Sequence, residues 1–131
     1  MTKALISGIH HVAIIVSDWD VSKPFYCGLL GCTVLAEQFR ADRNSLKIDL
    51  RMPDGSQLEV FTFPHSPARP TRPEALGLRH LAFRVQNLAA VVERLAEFGV
   101  SHEGVRHDDS THCDFLFCFD PDGLPIEFYE S

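Results

Sequence analysis

Gly8-Ile9-His10-His11-Val12-Ala13-Ile14-Ile15-Val16 returns 69 positions later as Gly77-Leu78-Arg79-His80-Leu81-Ala82-Phe83-Arg84-Val85. Further along, Pro53-Asp54-Gly55-Ser56-Gln57-Leu58-Glu59-Val60-Phe61 returns 68 positions later as Pro121-Asp122-Gly123-Leu124-Pro125-Ile126-Glu127-Phe128-Tyr129. Two matched segments in the same order, one residue out of step, mark a duplicated unit, and self-similarity on this scale decides the architecture before local propensity does. The chain reads as two copies of a module of about 55 residues. The first spans about 8–63, the second about 77–130, and together they make a single domain over 1–131.

Each copy opens on a short β-rich run (Val12, Ile14, Val16; Leu81, Phe83, Val85), which is read as a strand. A capping residue then starts a helix, Asp18 or Asp20 in the first copy and Asn87 in the second. Leu88, Val91, Leu95 and Phe98 fall on one face of the second helix, and Gly31 and Gly99 are placed to end the two helices. Pro24 fits only the opening turn of a helix. Three further strands are expected at 33–39, 46–51 and 57–63, and again at 101–106, 114–119 and 124–129, with Asp54-Gly55 and Asp122-Gly123 as hairpin turns. The module is βαβββ, twice, and the fold class is α+β. Pro64, Pro67, Pro70 and Pro73 crowd the junction 64–76, which predicts a stiff, extended spacer.

Composition narrows the function. In 131 residues, 45% are hydrophobic and 23% charged, an ordinary globular mix. Eighteen acidic residues against twelve basic ones give a net charge of −6, which argues against a nucleic-acid binder. No apolar run is long enough to cross a membrane as a helix, and the N-terminal apolar stretch is too short for a signal peptide, so a cytoplasmic protein is expected. Cys27, Cys32, Cys113 and Cys118 form two pairs with a spacing too wide for zinc knuckles and lie in apolar patterns. They are read as small buried hydrophobes in a reducing compartment.

The repeat also carries chemistry. His11 and His80 hold equivalent places in the first strands, and Glu59 and Glu127 hold equivalent places in the last strands. Strand side chains alternate between faces. With Val12, Ile14, Leu58, Val60 and their counterparts turned toward the helices, all four polar residues fall on the opposite face. A carboxylate among apolar neighbours is costly unless paired or bound to metal. Two imidazoles and two carboxylates, without thiolate, suit a divalent cation such as zinc, nickel, cobalt, manganese or iron, and four ligands leave positions open for substrate. His11 is preferred to His10 because it aligns with His80, whereas His10 aligns with Arg79. His65, His102, His107 and His112 have no repeat partner and are read as loop residues, with His107 or His112 able to rim the pocket.

These residues resemble the vicinal oxygen chelate superfamily, the group of glyoxalase I, bleomycin-resistance proteins and ring-cleaving dioxygenases. The signs are His11-Val12-Ala13-Ile14 with Asp18, Phe25-Tyr26 before Leu30-Gly31, Leu58-Glu59, Gly77-Leu78-Arg79-His80-Leu81-Ala82-Phe83, and Asp120-Pro121-Asp122-Gly123 leading to Glu127. The stretch from Pro70 to Ala75 and the ending Leu124-Pro125-Ile126-Glu127 are similar to the small glyoxalase-related proteins of the YaeR type. The resemblance implies a curled mixed-sheet cleft with metal at its floor, either within one chain or between two chains of a homodimer. Ligand order His, Glu, His, Glu is that of glyoxalase I, whereas the dioxygenases and fosfomycin-resistance enzymes lack the carboxylate at Glu59. The implied reaction is a glyoxalase I-like lyase or isomerase reaction on a small 2-oxo or 2-hydroxycarbonyl substrate. It proceeds by proton transfer through a metal-stabilised enediolate, with Glu127 as the first choice of base and Glu59 as its symmetric alternative. Phe61, Phe63 and Tyr129 would line the cleft. Ile15 stands where bacterial glyoxalase I often carries a glutathione-binding arginine, and Arg84, at the repeat-equivalent place, is an anion anchor instead. The alternatives are an Fe(II)-dependent extradiol-type dioxygenase, with Glu59 outside the ligand set, and a non-enzymatic antibiotic-binding protein.

Overall fold

The structure, a computed structural model, describes residues 3–131. The first half contains β1 (His11–Ile15), α1 (Trp19–Lys23), β2 (Thr33–Arg40), β3 (Ser45–Arg51) and β4 (Gln57–Phe61). The second contains β5 (Leu81–Val85), α2 (Leu88–Glu97), β6 (Arg106–Asp108), β7 (Cys113–Phe119) and β8 (Pro125–Glu130). Each half folds into its own four-stranded mixed sheet, in the orders β1-β4-β3-β2 and β5-β8-β7-β6. The duplication expected from sequence is thus a duplication of topology. The opening strand of each half runs parallel to the closing one, and the other pairs are antiparallel.

Alternation sets the two faces. Ile14, Val16, Ile48, Leu50, Leu58 and Val60 are buried in the first half, and Leu95, Leu116, Cys118, Ile126 and Phe128 in the second. They form one cluster with Trp19, Phe25, Tyr26 and Leu29 from the helical segment. Asp18 caps α1 by accepting from the Asp20 backbone N–H at 2.9 Å, and Asn87 caps α2 by accepting from the Ala90 N–H at 3.2 Å. In α2, Leu88 and Leu95 are buried, while Phe98, just past its end, is 42% exposed and lies against Gly28 of the first half.

Pro24 is not in the first turn of the helical body. It opens a π-wound stretch, Pro24–Leu29, that continues α1. Proline has no N–H to continue an α ladder, and the winding widens so that the Leu30 N–H reaches the Phe25 carbonyl at 3.0 Å. Both Asp-Gly turns lie where expected, but as longer turns with proline second. The Gly55 N–H donates to the Met52 carbonyl and the Gly123 N–H to the Asp120 carbonyl, each at 2.9 Å, with both glycines at positive φ.

Two expectations need correction. The strand expected at 101–106 starts only at Arg106. His102 makes an isolated bridge to Cys118 and the Glu103 N–H reaches the Phe117 carbonyl at 2.8 Å. The ladder then lapses at Gly104-Val105, where a glycine gives the strand no side chain to pack. The spacer 64–76 is not simply extended. It turns at 71–74, and Arg69 Nη2 donates to the carbonyls of Leu78 and Arg79, the latter at 2.9 Å, folding the spacer back over the second half.

Candidate metal centre

His11 begins β1 and Glu59 lies in β4, on the face turned away from the core. Parallel pairing sets Ala13 opposite Glu59, so the carboxylate stands beside the strand that carries His11. His11 Nε2 is 3.1 Å from Glu59 Oε2. Its other nitrogen, Nδ1, is 2.9 Å from Nδ1 of His10. Either ring can be the donor in that contact, which holds the His11 imidazole in its orientation. Sequence reading treated His10 only as the rival of His11; the structure makes it the neighbour that orients it. The adjacency of the two histidines was the available signal.

The second half repeats the imidazole–carboxylate pair but not the contact at the other ring nitrogen, His80 Nδ1 being buried without a hydrogen-bond partner. His80 sits one residue before β5 rather than inside it, and Glu127 lies in β8. His80 Nε2 is 3.7 Å from Glu127 Oε1. The surroundings of the two carboxylates differ. Lys47 Nζ comes within 3.9 Å of Glu59 Oε1 and 3.5 Å of Asp49. Phe117 pairs opposite Glu127, and its ring meets the His80 ring edge-on at 5.0 Å between centroids. Glu127 therefore faces an aromatic wall where Glu59 faces a lysine.

Aromatic and basic side chains flank both pairs. Phe61 and Phe63 stack at 6.0 Å, with the Arg40 guanidinium 4.9 Å from the Phe61 centroid. Phe115 stacks on Tyr129 at 6.1 Å, and Arg106 stands 5.1 Å from the Phe115 centroid and 5.3 Å from that of Phe117. The Tyr129 hydroxyl donates to Asp108 at 2.9 Å and contacts Thr111. Hydrogen bonds from Ser110 and then Tyr129 hold the Asp108 carboxyl down to about 2. Arg84 lines a groove between the halves, near Asp54. Asp54 is held below the ordinary carboxylate range by the Ser56 hydroxyl and backbone N–H first, with the Arg84 charge a smaller contributor. His107 pairs with Asp114 at 2.7 Å and lies 6.3 Å from His112. His102 pairs with the Glu103 carbonyl. Cys32 and Cys118 are in the core, and Cys27 and Cys113 are half-buried.

The donor set fits a divalent cation. Two ligands each about 2.1 Å from one ion stand about 3.0–3.4 Å apart at octahedral to tetrahedral angles, and the observed separations of 3.1 and 3.7 Å lie at and just beyond that spacing. All four residues lie on the expected faces, but in one chain they form two separate imidazole–carboxylate pairs. Among the described residues no three His, Cys, Asp or Glu side chains converge on one point.

Two halves of the same βαβββ order, each with an imidazole–carboxylate pair on its open face, define the class as a duplicated, paired-module α+β fold. The chain belongs to the glyoxalase/bleomycin resistance protein/dioxygenase superfamily, whose family model matches residues 8–128. It is 49% identical over 127 residues to the uncharacterized protein YwkD of Bacillus subtilis, covering 97% of this chain and 99% of that one. It is also 49% identical to YaeR of Escherichia coli over 123 residues, covering 94% and 95%. A glyoxalase family protein from Enterococcus faecalis superposes with a TM-score of 0.90 at 46% identity, over 97% of this chain and 100% of that one. The fosfomycin resistance protein FosX of Listeria monocytogenes shares the fold at 18% identity, with a TM-score of 0.79 and coverage of 97% and 95%. One FosX structure holds Mn(II) and a dihydroxypropylphosphonic acid. Among the described residues no helix is long and apolar enough to cross a membrane.

Proposed function

We propose that the protein is a divalent-metal-dependent, glyoxalase I-like lyase or isomerase, working as a homodimer in the cytoplasm. The observation that carries the reading is the repeated imidazole–carboxylate pair, at 3.1 Å in one half and 3.7 Å in the other. His11 and Glu59 of one chain, with His80 and Glu127 of a second copy, would hold the ion. A divalent cation held there supplies Lewis acidity, which makes a carbon-bound proton beside a carbonyl easier to remove. Glu127 takes that proton from one carbon and returns it to the next. It is preferred to Glu59 because Lys47 stands by Glu59, whereas the ion-pair partner of Glu127 is His80 alone among the described residues. Phe61, Phe63 and Tyr129 shape the cleft and limit water around the exchanging proton, and Arg84 stands as a further anion anchor. Exposure of Ile15 at 55%, Phe39 at 61% and Ile9 at 86% supports a covering second copy.

Two experiments test this. The protein loaded with nickel, cobalt, manganese or zinc is assayed on the hemithioacetal of methylglyoxal and for α-proton exchange in other 2-hydroxycarbonyl compounds. Turnover or exchange that Glu127→Gln abolishes is expected, and absence of both with every metal overturns the reaction. Mixing a His11→Ala/Glu59→Ala variant with a His80→Ala/Glu127→Ala variant tests the shared centre. A heterodimer retains one complete site, so metal binding and activity return; no recovery on mixing, with dimers present, would place the site within one chain.

A further inference from the structure

Beside the second imidazole–carboxylate pair lies a cavity of about 440 Å³ between the folded-back spacer and the open face of the second sheet. Four arginines line it, Arg69, Arg72, Arg79 and Arg106, against two glutamates, Glu74 and Glu103. That is a local excess of positive charge in a chain whose net charge is −6. Field lines from such a cluster focus in a walled cleft. The glutamates reach their arginines only loosely, Glu74 to Arg79 at 3.7 Å and Glu103 to Arg106 at 3.6 Å, while Arg72 has no ion pair among the described residues. Two of the lining residues, Arg69 and His80, each also carry a buried guanidinium or ring nitrogen, Nε and Nδ1 respectively, without a hydrogen-bond partner. Buried N–H groups are ordinarily satisfied, and those that are not call for an explanation.

We infer that this cavity is the subsite for the anionic end of the substrate, and that the substrate is a small molecule carrying a carboxylate or phosphoryl group. The inference deepens the proposed function and rests on it only for what the other end of the molecule does. The wall between the arginines and His80 is aromatic. Phe117 touches both, its ring centroid 5.0 Å from that of His80 and 5.3 Å from the Arg106 guanidinium. One aromatic ring thus adjoins both the basic cluster and His80. Planar guanidinium groups present paired N–H donors that match a carboxylate or phosphoryl oxygen pair, and Phe115 and Phe117 accept a flat or apolar body. The cavity volume suits a ligand of that size. Arg72 and Arg69 come from the spacer, so the segment joining the two halves takes part in recognition.

The test uses the whole protein, stripped of metal with a chelator, so that it stands apart from the metal-binding assay. Benzoate and phenylphosphonate are titrated by amide NMR, with benzamide as the neutral counterpart. Binding of at least one anion is expected, weakened tenfold or more by Arg72→Gln or Arg106→Gln, with benzamide far weaker. The two anions distinguish a carboxylate from a phosphoryl subsite. Both arginine side chains are exposed enough for the variants to fold, and circular dichroism verifies that they do. Equal binding of benzamide, or unchanged binding in the Arg72→Gln/Arg106→Gln double variant, overturns the inference. So does a loss confined to Arg84→Gln, which would move the anion to the groove between the halves. Failure here with metal affinity intact removes only the subsite; loss of metal affinity with anion binding intact removes only the shared centre.

Discussion

Tyr26 and Asp120 join the two halves through one hydrogen bond. The Tyr26 hydroxyl, wholly buried, donates to Asp120 Oδ2 at 2.6 Å, and the backbone N–H groups of Asp122 and Leu124 donate to the other carboxylate oxygen. Burial, and then the Asp120 charge and hydrogen bond, push the tyrosine far above its ordinary value, so it stays a neutral donor. Tyr26→Phe should cost about 1.5–3 kcal/mol, the range for a hydrogen bond to a charged group, read as a lower urea midpoint with the m-value unchanged. His10 acts on His11 in the same single-residue manner. His10→Ala should weaken metal affinity about 10–100-fold, the usual effect of removing a residue that orients a ligand. An unchanged affinity in a metal titration would show that the imidazole contact at 2.9 Å does not set the ligand.

The helical elements meet through Gly28 and Phe98. A Cβ at position 28 would come within 2.7 Å of the Phe98 ring edge. Alanine in a helical segment gains about 0.5–1 kcal/mol over glycine, and the atom it would strike is the tip of a ring that is 42% exposed and can turn aside, so only part of that gain is lost to the clash. Gly28→Ala is expected to change the stability of the wild type by less than about 0.5 kcal/mol and to stabilise a Phe98→Ala background by about 0.5–1 kcal/mol. The difference between the two in a double-mutant cycle is the measurement. The core elements also carry two thiols, Cys32 and Cys118, that burial pushes up to about 12 from an ordinary 9.0. A group whose folded value is raised contributes stability that is complete below its unfolded value and lost as pH climbs toward the folded one. Urea stability should therefore hold up to about pH 9 and fall between about 9 and 12, and a Cys32→Ala/Cys118→Ala variant should show a shallower fall.

At the scale of the molecule, one chain offers two open faces and two separate imidazole–carboxylate pairs, which the proposed function joins across a dimer. The protein should sediment as a dimer, and metal should bind with one ion per chain. Chelation should lower thermal stability, because a ligand bound only by the folded state stabilises it by mass action. If the dimer is metal-free and unaltered by added nickel or zinc in a calorimetric scan, the shared centre is wrong.

The amino-acid sequence by itself determined the duplication, the βαβββ order, the caps and the face on which His11, Glu59, His80 and Glu127 stand. These follow from period-two alternation and local turn chemistry, which act within a few residues. Missed were the π-wound stretch after Pro24, the late start of β6 and the folded spacer, where a hydrogen bond from afar or a missing one outweighed the local pattern. Tertiary structure alone decided that the two imidazole–carboxylate pairs stay apart in one chain, and that Arg69, Arg72, Arg79 and Arg106 gather beside His80. The distance between two sheets, and the path of a spacer across one of them, depend on contacts between residues far apart in the chain, which a repeat does not encode.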